Sequence, residues 1–98
     1  MADQELEFEW DEAKARSNLE KHSVSFFTAA ATFRNERLER IDDRKDYGEV
    51  RWVALGRAEL EVYRVVYTWR SEKLVRIISA QRASKNEEET YYREVHPQ

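Results

Sequence analysis

Arginine side chains accompany the two most apolar stretches of the chain, Leu60–Trp69 and Leu74–Ala80. Arg64 and Arg76 lie within these stretches, and Arg82 follows the second. Buried strands normally avoid arginine, because its charged group is almost never fully buried without a partner. Two explanations stay open at this point. Either the arginines lie at sheet edges and pair with carboxylates, or several of them converge on an anionic ligand.

One histidine lies inside the chain, His22, and the other, His96, is close to the carboxyl end. Histidine ordinarily titrates near neutral pH, so His22 either takes part in proton transfer or caps and packs at a helix end. With 2 His and no Cys, the chain has too few ligands for a zinc site or a histidine cluster, and we expect no structural metal and no cofactor. A glycine-rich phosphate loop and a nucleophile paired with a base are also missing, which argues against an enzyme that acts on small substrates.

The chain has 98 residues, the length of one domain with a modest core, and we expect a single domain over residues 1–98. Hydrophobic residues make up 41% of it, including 3 Trp, 5 Tyr and 4 Phe, so it should fold although 38% is charged. The acidic start, MADQELEFEWDE, is unlike a secretory leader, and no apolar run approaches the roughly 18 residues of a membrane span. We therefore expect a cytoplasmic protein that does not enter a membrane.

The net charge of -3 argues against a nucleic-acid partner, but the charges are unevenly distributed. Residues 1–12 carry 6 acidic and no basic side chains, and residues 87–98 carry 4 acidic and 1 basic. Residues 13–86 carry 16 basic and 10 acidic side chains, a net charge of +6. A basic centre between acidic ends favours an anion-binding body, although ordinary surface ion pairs would give a similar distribution.

The first third of the chain predicts a short extended segment and two helices. Glu7–Trp10 alternates polar and apolar residues, which is typical of a brief edge strand or of an extended lead-in that docks its aromatic rings. Asp11 is a favoured N-cap for a helix that runs to His22, and Ser25 is an N-cap candidate for the next helix. The second helix has the apolar spacing of an amphipathic helix, at Phe26, Ala29, Ala30 and Phe33.

The first of these helices is predicted to have a thin apolar seam and a separate polar stripe. The seam consists of Ala15, Leu19 and His22. The stripe consists of Lys14, Asn18 and Lys21, at positions i, i+4 and i+7. This stripe is either a solvated helix face or part of a cationic surface.

The middle of the chain predicts strands. A weak edge strand is expected over Arg37–Asp42, followed by a turn over Asp46–Gly48. Val50–Leu55 has the composition of a second strand, with a turn expected at Gly56. The two apolar stretches described above then form a central hairpin.

The last part of the chain predicts a third helix. Ser84–Glu87 has the S-x-x-E form of a capping box, and the helix should run to about Val95 with Tyr91 on its buried side. The predicted order is two helices, about four strands joined as an antiparallel meander, and a carboxyl-terminal helix. This order indicates an α+β fold in which helices pack on a sheet.

Four short groups of residues form a recognisable series. They are Phe8-Glu9-Trp10-Asp11 with Lys14 and Asn18, Lys21-His22 before Val24-Ser25-Phe26, Arg51-Trp52 with Ala54-Leu55-Gly56, and Arg76-Ile77-Ile78-Ser79-Ala80. In its order and spacing, over roughly residues 7–92, this series resembles the BrnT family. BrnT proteins are ribonuclease toxins of bacterial type II toxin–antitoxin pairs. They have a RelE-like fold and are neutralised by a partner antitoxin, BrnA.

The resemblance implies metal-independent cleavage of RNA. This chemistry needs an acceptor for the 2′-hydroxyl proton, cations that hold the phosphate, and a donor to the leaving oxygen. The catalytic candidates that the resemblance implies are His22, Arg76 and Lys14. The candidates for binding RNA or phosphate are Lys21, Arg51, Arg57, Arg64, Arg82 and Tyr91, with Glu87 as an alternative to Tyr91 at the edge of the site.

Two positions depart from the family pattern. Ser23 stands where we expect Gly, a change that alters only a turn, and Gln81 stands where we expect Arg, a change that removes a cation. Arg82, next to it, could replace that cation in part. The expected partner is a BrnA-like antitoxin that supplies any contact with DNA, because this chain has no recognisable DNA-reading helix. The alternative function is a non-catalytic BrnT-like module that binds an antitoxin in a repressor complex.

Overall fold

The computed structural model describes residues 5–95, so His96 lies outside the described part of the chain. This part contains three α-helices and five β-strands. In chain order they are β1 (Glu7–Glu9), α1 (Glu12–His22), α2 (Phe26–Ala31), β2 (Arg37–Asp42), β3 (Arg51–Ala58), β4 (Glu61–Trp69), β5 (Leu74–Arg82) and α3 (Lys85–Val95). A short 3-10 turn, Thr32–Arg34, joins α2 to β2. None of the helices within residues 5–95 is long and apolar enough to span a bilayer.

The five strands form one mixed sheet in the order β1-β5-β4-β3-β2. Strands β2 to β5 are the predicted antiparallel meander. The count of about four strands did not include Glu7–Trp10, which is predicted as a brief edge strand or an extended lead-in. This segment contains the edge strand β1, which pairs in parallel with β5 and places Glu9 opposite Arg76. Because β1 has only three residues, its sequence signal is weak. Its central side chain, Phe8, is opposite Val75 and packs against the core.

Strand β3 extends beyond the predicted turn at Gly56 and ends at Ala58. The turn into β4 lies at Glu59 and Leu60 instead, and Glu59 has a left-handed backbone with a φ of 56°. The predicted turn at Gly56 is therefore wrong. The glycine is needed for packing, because a Cβ atom there would lie 3.0 Å from the Cβ of Thr32 in the 3-10 turn.

Helices α1 and α2 cover one face of the sheet, and α3 covers part of the other. The first face carries the main core, where the Phe33 ring meets Tyr67 edge-on with 5.0 Å between ring centroids. Other buried side chains of this core are Phe26, Val65, Val75 and Ile77. On the opposite face, Glu87 of α3 forms an ion pair with Arg64 of β4. The two layers follow from the alternation of side chains along each strand.

Helix α1 has its predicted bounds but only part of its predicted buried side. Its N-cap is Asp11, whose side chain accepts a hydrogen bond from the Lys14 backbone N–H at 3.0 Å. Of the predicted apolar seam, Ala15 packs against the core, but Leu19 is 51% exposed and His22 is also exposed. Asn18 is buried instead. Its side-chain amide bonds to the backbone of β5, a contact that helical periodicity cannot reveal.

The helix ends agree with the capping predictions. The C-cap of α1 is Ser23, whose φ of 59° is the left-handed conformation that glycine adopts without a steric penalty. The serine therefore keeps the turn at a steric cost. Ser25 caps α2 by accepting the Thr28 N–H at 3.1 Å. At α3, the Ser84 N–H donates to the Glu87 carboxylate at 2.8 Å, and the Glu87 N–H donates to the Ser84 hydroxyl at 3.1 Å.

Candidate functional site

Three charged side chains meet where β1 and the β4–β5 turn lie against β5. We call them the Arg76 cluster, and they are Glu9, Arg70 and Arg76. One Glu9 carboxylate oxygen accepts a hydrogen bond from Arg76 at 2.9 Å and lies 3.8 Å from the Nε of Arg70. The side chains of Arg76 and Arg70 are 34% and 52% exposed, so both are accessible to a ligand.

The start of α1 places two more charges near this cluster. The Lys14 backbone N–H, which donates to the Asp11 carboxylate, lowers the pKa of Asp11. The positive charges of Lys14 and Arg76 lower this pKa further, so Arg76 acts electrostatically on the helix start. Two of the three predicted catalytic residues, Arg76 and Lys14, therefore act electrostatically on the same carboxylate.

The third predicted catalytic residue, His22, lies at the other end of α1. It is separated from Lys14 by a rise of about 12 Å along the helix axis. Helix α1 runs beside β5, with its start near Arg76 and its middle bonded to Ala80, so His22 lies toward the Arg82 end of that strand. The structure does not bring His22 together with Arg76 and Lys14.

Arg64 lies on the face of the sheet that α3 covers. It is 3.4 Å from the Glu87 carboxylate, and 18% of its side chain is exposed. Gln81 is directly opposite Arg64 across β4 and β5. Arg82 is opposite Tyr63, and because neighbouring residues of a strand point to opposite faces, Arg82 does not replace the cation that the family pattern has at position 81.

A further group of charges lies at the start of β3. Arg51 pairs with Glu49 at 3.0 Å, and its guanidinium carbon lies 4.2 Å from the centroid of the Tyr47 ring. Next to it in the sheet register, the buried Asp42 accepts two hydrogen bonds from the Arg44 guanidinium, at 2.7 and 2.8 Å, and a third from the Arg44 backbone N–H at 3.3 Å. The Arg44 guanidinium holds the pKa of Asp42 well below its usual range. These contacts hold the segment before β3 against the sheet.

Three other predicted RNA-binding residues lie elsewhere. Lys21 is exposed in the last turn of α1. Arg57 is half-buried near the end of β3. Tyr91 of α3 is buried, which raises its pKa, and its hydroxyl donates to the Glu36 carbonyl at 3.0 Å.

Two members of the Arg76 cluster were not identified from the sequence. Glu9 belongs to the Phe8-Glu9-Trp10-Asp11 motif, but no role was assigned to it from the sequence. Its contact with Arg76 spans 67 residues and depends on the short parallel strand β1. Arg70 lies in the turn of the predicted hairpin. This turn leads into the strand that contains Arg76, and this position in the sequence is the signal that could have identified Arg70.

The Arg76 cluster is suited to binding an anion. Arginine has five N–H donors in a planar fork, so one carboxylate does not use all of its donors. The cluster holds two cations, Arg70 and Arg76, on one carboxylate, and the charges of Arg76 and Lys14 both act on Asp11 at the start of α1. Cations fixed in this way stabilise a phosphate as its charge rises in a transition state. Within residues 5–95, no group of three or more His, Cys, Asp or Glu side chains is placed to hold a metal ion.

The fold and the site together define the class of protein. It is a small α+β domain in which a carboxylate pairs with two arginines at one end of a mixed sheet. Residues 10–87 match the model of a family described as the ribonuclease toxin BrnT of type II toxin–antitoxin systems. The chain belongs to this family, and the resemblance seen in the sequence is confirmed.

The fold is also similar to a solved structure, the 1.1 Å crystal structure of the Brucella abortus ribonuclease toxin BrnT. The TM-score is 0.61 and the sequence identity 22%, over 82% of this chain and 99% of that one. At this identity the likeness shows a shared fold. No curated protein matches the chain.

Proposed function

We propose that this protein is a metal-independent endoribonuclease toxin that cleaves RNA in the cytoplasm and is neutralised by a BrnA-like antitoxin. Membership of the BrnT family supports the toxin activity and implies an antitoxin partner. We also propose that the fold is RelE-like, that residues 1–98 form a single domain, and that the antitoxin makes any contact with DNA.

The observation that carries the proposal is the Arg76 cluster. Glu9 holds the Arg76 guanidinium through a 2.9 Å hydrogen bond, so this cation is oriented before a substrate arrives. Arg70, 3.8 Å from the same carboxylate, supplies a second cation beside it. A scissile phosphate bound by both would gain charge-assisted hydrogen bonds as negative charge develops on its oxygens.

Contact with the RNA backbone extends along α1 in this proposal. Lys14 and Lys21 are both exposed and lie about two helical turns apart. They would hold successive phosphates on the side of the scissile one along which α1 runs. His22, the predicted acid–base residue, lies a rise of about 12 Å along α1 from Lys14. A general acid or base must lie within hydrogen-bond reach of the group it serves, so His22 transfers no proton at a phosphate held by Arg76. Loss of cleavage in His22→Ala with the fold intact would therefore move the scissile phosphate to the His22 end of the helix.

The experiment compares the parent with Arg76→Ala, His22→Ala and a control, Arg93→Ala. Arg93 is an exposed arginine of α3 whose nearest acidic oxygen, from Glu94, lies 3.9 Å away. Induced expression in a bacterial host measures growth arrest, and cleavage of RNA by the purified proteins is measured with and without EDTA. The parent and Arg93→Ala should arrest growth and cleave RNA in both conditions. Arg76→Ala should cleave at least about 100-fold more slowly with an unchanged circular dichroism spectrum.

Each outcome bears on a different part of the proposal. Co-expression of a BrnA-like antitoxin should restore growth. Parent activity that is lost with EDTA would contradict metal independence, and an unchanged rate for Arg76→Ala would place the site elsewhere. Unaffected growth, absent cleavage and retained antitoxin binding would instead favour a non-catalytic module in a repressor complex.

A further inference from the structure

A cleft lies at the rim of the sheet between the start of β3 and the end of β4. Its volume is about 400 Å³, within the roughly 300–1,000 Å³ that is typical of ligand sites. The side chains that line it are Glu49, Val50, Trp52, Thr68, Trp69 and Arg70. Two indole rings beside an arginine are suited to a flat aromatic ligand that carries negative charge.

The walls of this cleft are fixed by contacts with the rest of the fold. The Thr68 hydroxyl donates to the Val50 carbonyl at 2.6 Å, which holds the two strands together at this end. The Trp69 ring packs edge-on against Tyr67, with 6.1 Å between centroids, and is still 37% exposed. Tyr67 is buried, and its hydroxyl is held by Glu39. The exposed indole is therefore held in place before any ligand binds, which lowers the entropy that binding costs.

The cleft is continuous with the Arg76 cluster. Arg70 lines the cleft and also lies 3.8 Å from the Glu9 carboxylate that holds Arg76. Trp69 directly precedes Arg70 in the chain. An aromatic surface thus lies next to the Arg70 guanidinium, an arrangement in which single-stranded nucleic acids stack a base and bind the adjacent phosphate.

We propose that the cleft is a base-binding subsite, in which an unpaired base of single-stranded RNA stacks on Trp69 while its neighbouring phosphate contacts Arg70. The inference rests on the proposed function and adds a feature of the substrate, namely that the RNA is unpaired at this position. Stacking is tolerant of sequence, because every base has an aromatic face. The subsite therefore selects single strands more than it selects a base.

The features of the cleft favour RNA over a protein partner as its occupant. Tryptophan and arginine are also frequent in protein interfaces, so an antitoxin side chain is the competing occupant. The cleft is small, however, and it is lined by Arg70, which also belongs to the proposed phosphate site. That cation matches a nucleotide, which brings an aromatic ring and a phosphate together.

The test uses the parent, Trp69→Ala, Trp69→Phe and a control, Phe27→Ala, which removes an exposed aromatic ring from α2. Two probes are compared: a short 2′-O-methyl oligoribonucleotide, which lacks the attacking hydroxyl, and the same backbone without bases. Trp69→Ala should weaken binding of the first probe by about 5- to 100-fold, and Trp69→Phe should restore part of it. Phe27→Ala should bind like the parent. The probe without bases should bind equally to the parent and Trp69→Ala.

Several results would overturn the inference. If the parent cleaves RNA while Trp69→Ala binds the oligoribonucleotide as tightly as the parent, the subsite is absent and the proposed function stands. If Trp69→Ala loses affinity for the antitoxin but not for the oligoribonucleotide, the cleft is an antitoxin contact. A parent that neither binds nor cleaves RNA would overturn the inference and the function together.

Discussion

Asn18 of α1 replaces a missing strand neighbour at the edge of β5, and its removal should be costly. Strand β1 covers this edge only as far as Arg76. Further along, the Asn18 side chain accepts the Ala80 N–H at 3.1 Å and donates to the Ala80 carbonyl at 2.8 Å. It also donates to the Val24 carbonyl at 3.0 Å, and its side chain is buried.

The magnitude follows from these three bonds. Asn18→Ala would leave one donor and two acceptors without their partner in a buried place, at about 1–3 kcal/mol each. Alanine is the better helix former, so the substitution would regain roughly 0.5 kcal/mol of helix stability. The net loss should be about 3 kcal/mol or more, a large part of the 5–15 kcal/mol that stabilises a typical domain. It corresponds to a fall in Tm of about 12 °C or more for a domain of this size.

Urea denaturation followed by circular dichroism measures this loss. The control is Glu20→Ala, an exposed position of the same helix, which should change the free energy of unfolding by less than about 0.5 kcal/mol. A loss below about 1 kcal/mol for Asn18→Ala, with an unchanged slope against urea, would refute the edge-capping role. Because α1 also positions Lys14 near the Arg76 cluster, RNA cleavage should fall in the same variant even at temperatures where it stays folded.

Two further predictions concern single side chains. Gln81→Arg should raise RNA cleavage at equal stability, because it adds a cation beside Arg64, the residue opposite position 81 in the sheet. The added cation would lie about 16 Å along the strand from Arg76. Equal cleavage by both proteins would mean that this departure has no functional effect. Asp42→Asn should destabilise the fold at neutral pH, because Arg44 holds the pKa of Asp42 well below its usual range and favours the ionised form. That contribution is complete above pH of about 4, the unfolded value, and is lost as the pH falls through the folded pKa. Urea midpoints of parent and variant should therefore converge in acid, and a constant difference between neutral and acid pH would contradict the assignment.

The parts of the fold that the sequence predicted well are those with local signals. Asp11, Ser25 and Ser84 are capping residues whose partners lie three residues away, so composition at fixed spacing was sufficient. The edge strand Arg37–Asp42 was predicted with its observed bounds. Its neighbours in the meander follow in chain order, which made the pairing predictable.

The parts that the sequence did not predict depend on contacts between distant segments. The sequence indicated a turn at Gly56, but glycine is required there because the Thr32 side chain packs against it. Asn18 reads as part of a polar stripe, but its partner Ala80 is 62 residues away. In both cases a tertiary contact decides the role of the residue, and neither helical nor strand periodicity contains that information.

The candidate site also depends on contacts between distant segments. It shows how the two explanations for the arginines, pairing with carboxylates and binding of an anion, are related. The charges segregate along the sequence, and folding brings the acidic ends onto the basic middle. Glu9, from the acidic start, pairs with Arg76, and Glu87, from the acidic end, pairs with Arg64. Pairing with carboxylates and binding of an anion are therefore compatible in one site, because a guanidinium held by one carboxylate keeps a fixed orientation and has further donors to offer. A phosphate that binds at Arg76 must share this cation with Glu9, so the same carboxylate that orients the arginine also limits how tightly the site holds RNA.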